Sequence, residues 1–216
     1  DNLQTGPITM RLGVMKASDV IDLDEDEEPD PGDPQYEPNS VSAAVYAPEG
    51  TQLETIGVVI GFGVNGTSGN SAVIIEDPEN GNAIEMWANG GSRNEIKVGD
   101  SIRVSGVRAT EKGLPRINDP VLEEIISSDN PLYPITEIAD VEEWANNFVE
   151  NGPAGYYGRY KFTATVVRVT GTYAFFTYTE TGDTILQIAI YRAHSAYDTE
   201  WVVGATYTVK VVALGI

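Results

Sequence analysis

Residues 95–106 read EIKVGDSIRVSG. Ile96 and Val98 lead into Gly99-Asp100, after which Ile102 and Val104 alternate with Ser101, Arg103 and Ser105 until Gly106 closes the run. Alternation at period two describes a strand with one buried face. A glycine just ahead of it supplies a backbone conformation that a side chain would resist. The pattern returns near the end of the chain: EWVVGATYTVKVV (200–212) carries Gly204 where EIKVGDSIRVSGV (95–107) carries Gly99.

Working outward, the stretches before each glycine also match. YKFTATVVRVTG (160–171) parallels ETIGVVIGFGVNG (54–66), TYAFFTYTETGD (172–183) parallels SAVIIEDPENG (71–81), and ILQIAIYR (185–192) parallels AIEMWA (83–88). Two copies of one strand order imply two copies of one architecture, with Gly99 and Gly204 at the starts of equivalent strands. In the first copy Ile56, Val58, Ile60 and Phe62 are expected on one face, and Gly57 and Gly61 on the other, where they permit the strong bending a barrel strand needs. The third strand is expected to turn Ile84 and Met86 one way and Glu85 and Trp87 the other. LPRIN (114–118) and VLEEIIS (121–127) provide a fifth strand or its extension. Short strands, glycine-rich turns and no long helix predict a closed β-barrel.

The 216 residues suit one large domain or two small ones, and 41% hydrophobic content is enough to build a core. No apolar run is long enough to span a membrane. Without cysteine there are no disulfides or thiolate metal sites. Opening on Asp1, the chain is expected to be a processed or trimmed form. A net charge of −20 disfavours strong nonspecific binding to a polyanion. The charge is uneven, however. From Asp19 to Glu37 every charged residue is acidic, whereas from Gly155 onward Arg159, Lys161, Arg168, Arg192 and Lys210 balance Glu180, Asp183, Asp198 and Glu200.

The chain divides accordingly into an N-terminal strand and acidic linker (1–50), a first barrel (51–130), a helical linker (131–154) and a second barrel (155–216). ITMRLGVM (8–15) reads as one strand. DLDEDEEPDPGDPQYEP (22–38) reads as a solvated tether, mobile or ion-bound, because like charges and prolines resist packing. Asp22, Asp24 and Asp26 have the spacing that opens an EF-hand loop, but Glu27 replaces the loop glycine and Asp33 its final glutamate. In the linker, Ile138, Val141, Trp144, Ala145 and Phe148 recur at helical spacing. Thr136 or Asp140 is the candidate cap and Asn151-Gly152 the end.

The strand order, with VGD before the fourth strand and GLPRIN after it, resembles the oligonucleotide/oligosaccharide-binding (OB) fold. The run TIGVVIGF … IIEDPENGNAIEMW … VGDSIRVSGV … KGLPRIN, followed by PLYPIT, is similar to OB domains of secreted bacterial nucleases and of surface lipoproteins of gut Bacteroidetes. The resemblance covers about residues 50–216 and implies a mainly β protein of two tandem OB-like five-stranded barrels joined by a short α-helix. It also implies export to the cell surface, outer membrane or periplasm, with a lipid anchor upstream of Asp1. The second copy ends at Ile216, directly after its fourth strand. ITMRLGVM or another chain fills the fifth place, or the second barrel stays open.

Little points to catalysis. His194 is the only histidine and cannot build a metal cage alone. No serine stands in a nucleophile-elbow pattern and no glycine motif cradles a phosphate. Asp77, ahead of Pro78, reads as a turn residue. The expectation is a non-enzymatic protein with no cofactor or metal. Binding is the better reading, because OB folds bind on the face of strands two and three. In the second copy Phe176, Tyr178 and Tyr191 are expected to share an outer surface if Phe175 faces in. Such rings either stack on sugars or bases or pack on the linker helix or the other barrel. In the first copy Trp87 takes the equivalent outward position, and Arg103, Arg108, Lys112 and Arg116 gather near the loop between strands four and five. They either hold an anion or neutralise local acids. The expected ligand is carbohydrate or a partner protein, with single-stranded nucleic acid as the alternative.

Overall fold

The computed structural model describes residues 37–64, 71–88, 95–111, 114–141, 143–144, 157–171, 173–181, 184–191 and 200–213. Residues 1–36, among them ITMRLGVM and most of the acidic stretch, lie outside these, as do Lys112 and His194.

The chain is mainly β. A short helix, α1 (Val41–Tyr46), precedes β1 (Gln52–Val64), β2 (Ser71–Glu76), β3 (Ala83–Ala88), β4 (Ser101–Glu111) and β5 (Leu114–Ser127). These five strands close a barrel in the order β1-β2-β3-β5-β4. Every pairing is antiparallel except β3 with β5, where Glu85 meets Arg116 and Met86 meets Ile117 in parallel. Both halves of the expected fifth strand belong to β5, which bends through register shifts against β4.

The barrel core takes Val59, Val73, Ile75, Ile84, Met86, Ile102, Val104 and Ile117. Ile84, Met86, Ile102 and Val104 follow the alternation read from the sequence. β1 does not. Its register shifts between Val59 and Gly61, so Val59 and Phe62 turn toward the barrel core while Ile60 joins a different cluster. A bulge reverses the faces beyond it, and the expected shared face of Ile56, Val58, Ile60 and Phe62 does not form. The β1 glycines answer to close approach. A Cβ on Gly57 would stand 2.6 Å from Val41 Cγ2, and one on Gly61 would stand 2.7 Å from Val212 Cγ2.

Helix α1 lies within the segment expected to be linker. Ser40 caps it through Oγ, which accepts from the Ala43 amide at 3.1 Å. Val41, Ala44 and Val45 are buried in the barrel core. The 77–82 hairpin holds the helix from outside. Asp77 Oδ1 accepts from the Glu79 amide at 3.0 Å, as a turn residue should. Ser42 Oγ donates to Asp77 Oδ2 and accepts from Asn82 Nδ2.

The opening stretch owes its glycine to a docking turn. Gly99 has φ +91°. Its amide donates to Val59 O at 2.9 Å, at the bulge of β1, and the Val59 amide donates to Asp100 O at 2.8 Å. The Asp100 amide donates to Lys97 O. The buried Asp100 carboxylate accepts from Ser128 Oγ at 2.7 Å and from the Lys97 amide at 2.8 Å. Burial pushes this carboxyl up, but the two hydrogen bonds and the Lys97 charge outweigh it and hold it below its ordinary value.

The second half contains β6 (Thr136–Ile138), β7 (Arg159–Thr165), β8 (Arg168–Val169), β9 (Tyr173–Thr181), β10 (Thr184–Tyr191) and β11 (Thr206–Val212). They form two three-stranded sheets, β10-β9-β8 and β11-β7-β6. Gly204, at φ +85°, repeats the Gly99 circuit bond for bond. Its amide donates to Val166 O, the Val166 amide to Ala205 O, and the Ala205 amide to Val202 O, at 2.8, 2.9 and 3.1 Å. In the linker Asp140 opens a helical turn: the Glu143 amide donates to its Oδ1 and the Trp144 amide to its carbonyl. Thr136 and Ile138 do not belong to this turn, because they lie in β6, paired with β7; the rest of the expected helix, residues 145–152, lies outside the described residues.

The two halves share a cluster in which Ile60, Ile74, Ala83 and Leu114 meet Tyr157, Tyr160, Phe162, Phe176, Ile188 and Trp201. Rings form much of its centre. Phe176 stands edge-on to Phe162 at 5.3 Å and to Trp201 at 5.7 Å, and Trp201 meets Tyr207 at 4.9 Å. Among the described residues no helix is long and apolar enough to cross a membrane.

Candidate functional site

The aromatic surface expected on the second half is not assembled as read. Phe176 is 4% exposed and belongs to the shared cluster. Its neighbour Phe175 is buried as well, beneath Arg168. At Phe175 and Phe176 both faces of β9 are therefore covered, and for Phe176 the packing alternative holds. Tyr178 lies in β9 and Tyr191 in β10, with the Tyr191 backbone paired to Tyr173. Their side chains lie outside the described residues.

On the first barrel, Arg116 sits where β3, β5 and β4 adjoin, its Cα partnered with Glu85 on one side and Ala109 on the other. Arg116 Nη2 is 3.1 Å from Glu85 Oε1, and Nη1 is 3.5 Å from Glu111 Oε2. The side chains of Arg116 and Glu85 are only 12% and 7% exposed, whereas Glu111 reaches solvent. Glu85 points away from the barrel core because it alternates with Ile84 and Met86. Trp87 follows two residues later in β3, its backbone paired with Ala72; its side chain lies outside the described residues.

Tyr157 closes this row from the second half. Burial pushes its phenol well above the ordinary value, and Glu85 adds to the rise while Arg116 and Arg108 oppose it. The phenol therefore keeps its proton near neutral pH and can donate a hydrogen bond but cannot serve as a base. Arg108 faces into the barrel end on the alternation that buries Ile102 and Val104. Its guanidinium donates to the carbonyls of Ala109 and Val45, the latter at 3.2 Å beneath the end of α1, and to Thr110 Oγ1. Burial lowers its pKa, yet a guanidinium remains charged in a protein.

The basic cluster expected around the β4–β5 loop is thus divided. Arg103 lies on the outer face with Glu54 at 2.8 Å and Glu124 at 3.6 Å, Arg108 lies inside, and Arg116 pairs with Glu85 and Glu111. Neutralisation of local acids is the role that the contacts of Arg103 and Arg116 display, whereas Arg108 binds backbone carbonyls and a hydroxyl.

Sequence reasoning gave Glu76 no role, because an acidic chain pairs carboxylates such as Glu76-Asp77 by chance. Glu76 is buried between the halves, where Oε1 accepts from the Tyr133 amide at 2.7 Å. Arg159 donates to the Tyr133 carbonyl and lies close enough to lower the carboxyl's pKa. Burial outweighs both and leaves that pKa raised. Its strand position was a usable signal, since Glu76 closes the otherwise apolar AVII run of β2.

The row can recognise hydroxyls and amides: it offers carboxylate acceptors and guanidinium donors held on strands. Among the described residues no group of three or more His, Cys, Asp or Glu side chains could hold a metal ion. No family model matches the chain, and no curated protein matches it.

Proposed function

We propose that this chain is a non-catalytic binding or adhesion module of an exported bacterial protein, built as two tandem OB-like barrels and directed at carbohydrate. The observation that carries this reading is the Glu85–Arg116–Glu111 row, whose paired charges lie on strands beside the position of Trp87. Pre-paired carboxylates and guanidinium groups suit the donor and acceptor demands of sugar hydroxyls, and an aromatic residue type such as Trp suits a sugar face. The barrel order, with its parallel β3–β5 pairing, supports the OB reading. The bond-for-bond Gly99 and Gly204 circuits support the tandem reading.

A partner protein is the second reading, favoured by one surface. Past Ile117, β5 pairs with β4 alone among the described residues and exposes Val121, Ile125 and Ile126, with Val121 at 54%. Single-stranded nucleic acid is the remaining alternative, and the charge of −20 weighs against it.

A glycan and oligonucleotide array probed at two salt concentrations tests the reading. Carbohydrate binding that is insensitive to salt and lost in Trp87→Ala supports it. Oligonucleotide binding that falls steeply with salt would replace it, because counterion release drives binding to phosphates.

A further inference from the structure

β10 and β11 each end a sheet, and among the described residues neither has a partner on its outer edge. In the first barrel that place is filled. Counting from Gly99 and Gly204, Ile102 corresponds to Tyr207, Val104 to Val209 and Gly106 to Val211. β5 lies between β3 and β4, parallel to the first and antiparallel to the second. It brings Ile117 and Leu122 against the core side of β4, where Ile102 and Val104 are wholly buried. Among the described residues no strand gives β11 such cover. Tyr207, Val209 and Val211 point toward the aromatic cluster but stay half-buried. Among the described residues the second half therefore has both signs of an unfilled strand position: two unpaired sheet edges and an incompletely covered apolar row between them.

Taking residues 155–216 as the second barrel, as proposed above, we infer that ITMRLGVM (8–15) of the same chain occupies this position as its fifth strand, antiparallel to β11 and parallel to β10. The segment lies outside the described residues, and its composition suits the place. Ile8, Met10, Leu12 and Val14 alternate with Thr9, Arg11, Gly13 and Met15. One apolar face can cover Tyr207, Val209 and Val211 while the other meets solvent. Residues 16–39 separate it from Ser40, which is bridged to β1. When extended they span roughly 80 Å, so reach does not restrict the segment to one side of the molecule. Their acid and proline content keeps them from competing for the position. A free edge beside an apolar row is also an aggregation hazard that natural sheets cover, and the chain's own strand covers it without a partner.

The absence of cysteine makes a cross-linking test direct. Thr208 lies on the outer face of β11. In the full chain, Thr208→Cys is combined in turn with Thr9→Cys, Arg11→Cys and Gly13→Cys and oxidised at low protein concentration. Directly opposed residues on paired strands come within disulfide reach. One of the three pairs is expected to give an intramolecular cross-link in at least tenfold excess over the others. Thr163→Cys, on β7 one strand further in and paired with Thr208, should give none. Disulfide-linked dimers would make a second copy the occupant and overturn the inference. Equal cross-linking to Thr163→Cys, or none at any pair, would also overturn it. Hydrogen exchange supplies a second measurement without cysteines. Leu12→Asp should speed exchange across β11 at least tenfold and leave β4 unchanged, whereas equal β11 exchange in both chains would overturn the inference. Neither result bears on sugar binding at the first barrel, so the failure of one proposal is distinguishable from that of the other.

Discussion

β4 and β11 begin from the same docked glycine turn and carry the same alternation, yet Ile102 and Val104 are wholly buried while Tyr207 and Val209 are not. The pattern sets which side chains point inward. How deeply they are buried depends on what lies across from them. β5 lies across β4 and seals it. The described residues put nothing equivalent across β11, and the second half instead gains cover from the first barrel, through Ile60, Ile74 and Leu114 on one side of its ring cluster. Its core is therefore built from aromatics at an interface, and the first barrel's from aliphatics within one closed sheet.

That contrast is most exposed to disproof at Phe176. Truncation to alanine should cost about 3–5 kcal/mol, the range for large aromatic side chains in cores, read from denaturant unfolding. A cost under about 1 kcal/mol, the size of an ordinary surface change, would return Phe176 to the surface and leave the second half without a centre.

The turns sharpen the comparison. Alanine at Gly99 or Gly204 has room for its Cβ, with nothing nearer than 3.6 Å at Gly99 and nothing within 4 Å at Gly204. The penalty is then conformational alone, and each substitution should cost about 1–2 kcal/mol. Costs that differ by more than about 1.4 kcal/mol, a tenfold change in the folding equilibrium, would show that the two turns do different work.

Glu76 tests how the halves are joined. Burial raises its pKa in the folded protein, so the folded state holds a proton that the unfolded state releases more readily. Its contribution is most favourable below the ordinary glutamate range and is lost as pH rises through the raised value. Glu76→Gln has no such loss. Its stability relative to the native chain should therefore increase from about pH 4 to pH 7, where the ordinary glutamate value marks the start of the window. A relative stability that falls over this interval would mean that the Tyr133 amide and Arg159 outweigh burial.

The smallest effect is expected outside the described fold. Deleting Asp22–Asp30 should leave the melting temperature nearly unchanged, since runs of like charge and proline resist packing. Strong calcium-dependent stabilisation of the full chain would instead make this stretch an ion site.

These regions also show what could be read in advance. Gly99 and Gly204 were legible because a positive φ beside a strand leaves a local mark. The reversal at Ile60 was not, because a bulge adds a residue without altering composition. Helix α1 left a signal in Ser40 followed by Val41, Ala44 and Val45, but the adjoining acidic run obscured it. Arg103 and Arg108 were grouped by nearness in sequence, although an odd and an even position on one strand face opposite ways. Phe176 depended on the packing of two halves, which strand alternation does not encode. Of the candidate site, the outward direction of Glu85 was legible. Its pairing with Arg116 requires the parallel β3–β5 contact, which joins residues distant in sequence.

The most direct test of the central claim, that β4 is paired on both edges while β11, among the described residues, is paired on one, is residue-resolved hydrogen exchange in a chain lacking residues 1–18. β4 amides should be protected along the whole strand, whereas β11 should alternate, slow where its amides face β7 and fast where they face the other edge. Uniformly slow exchange along β11 would contradict the account, because it would mean that something other than the N-terminal segment already closes the second half.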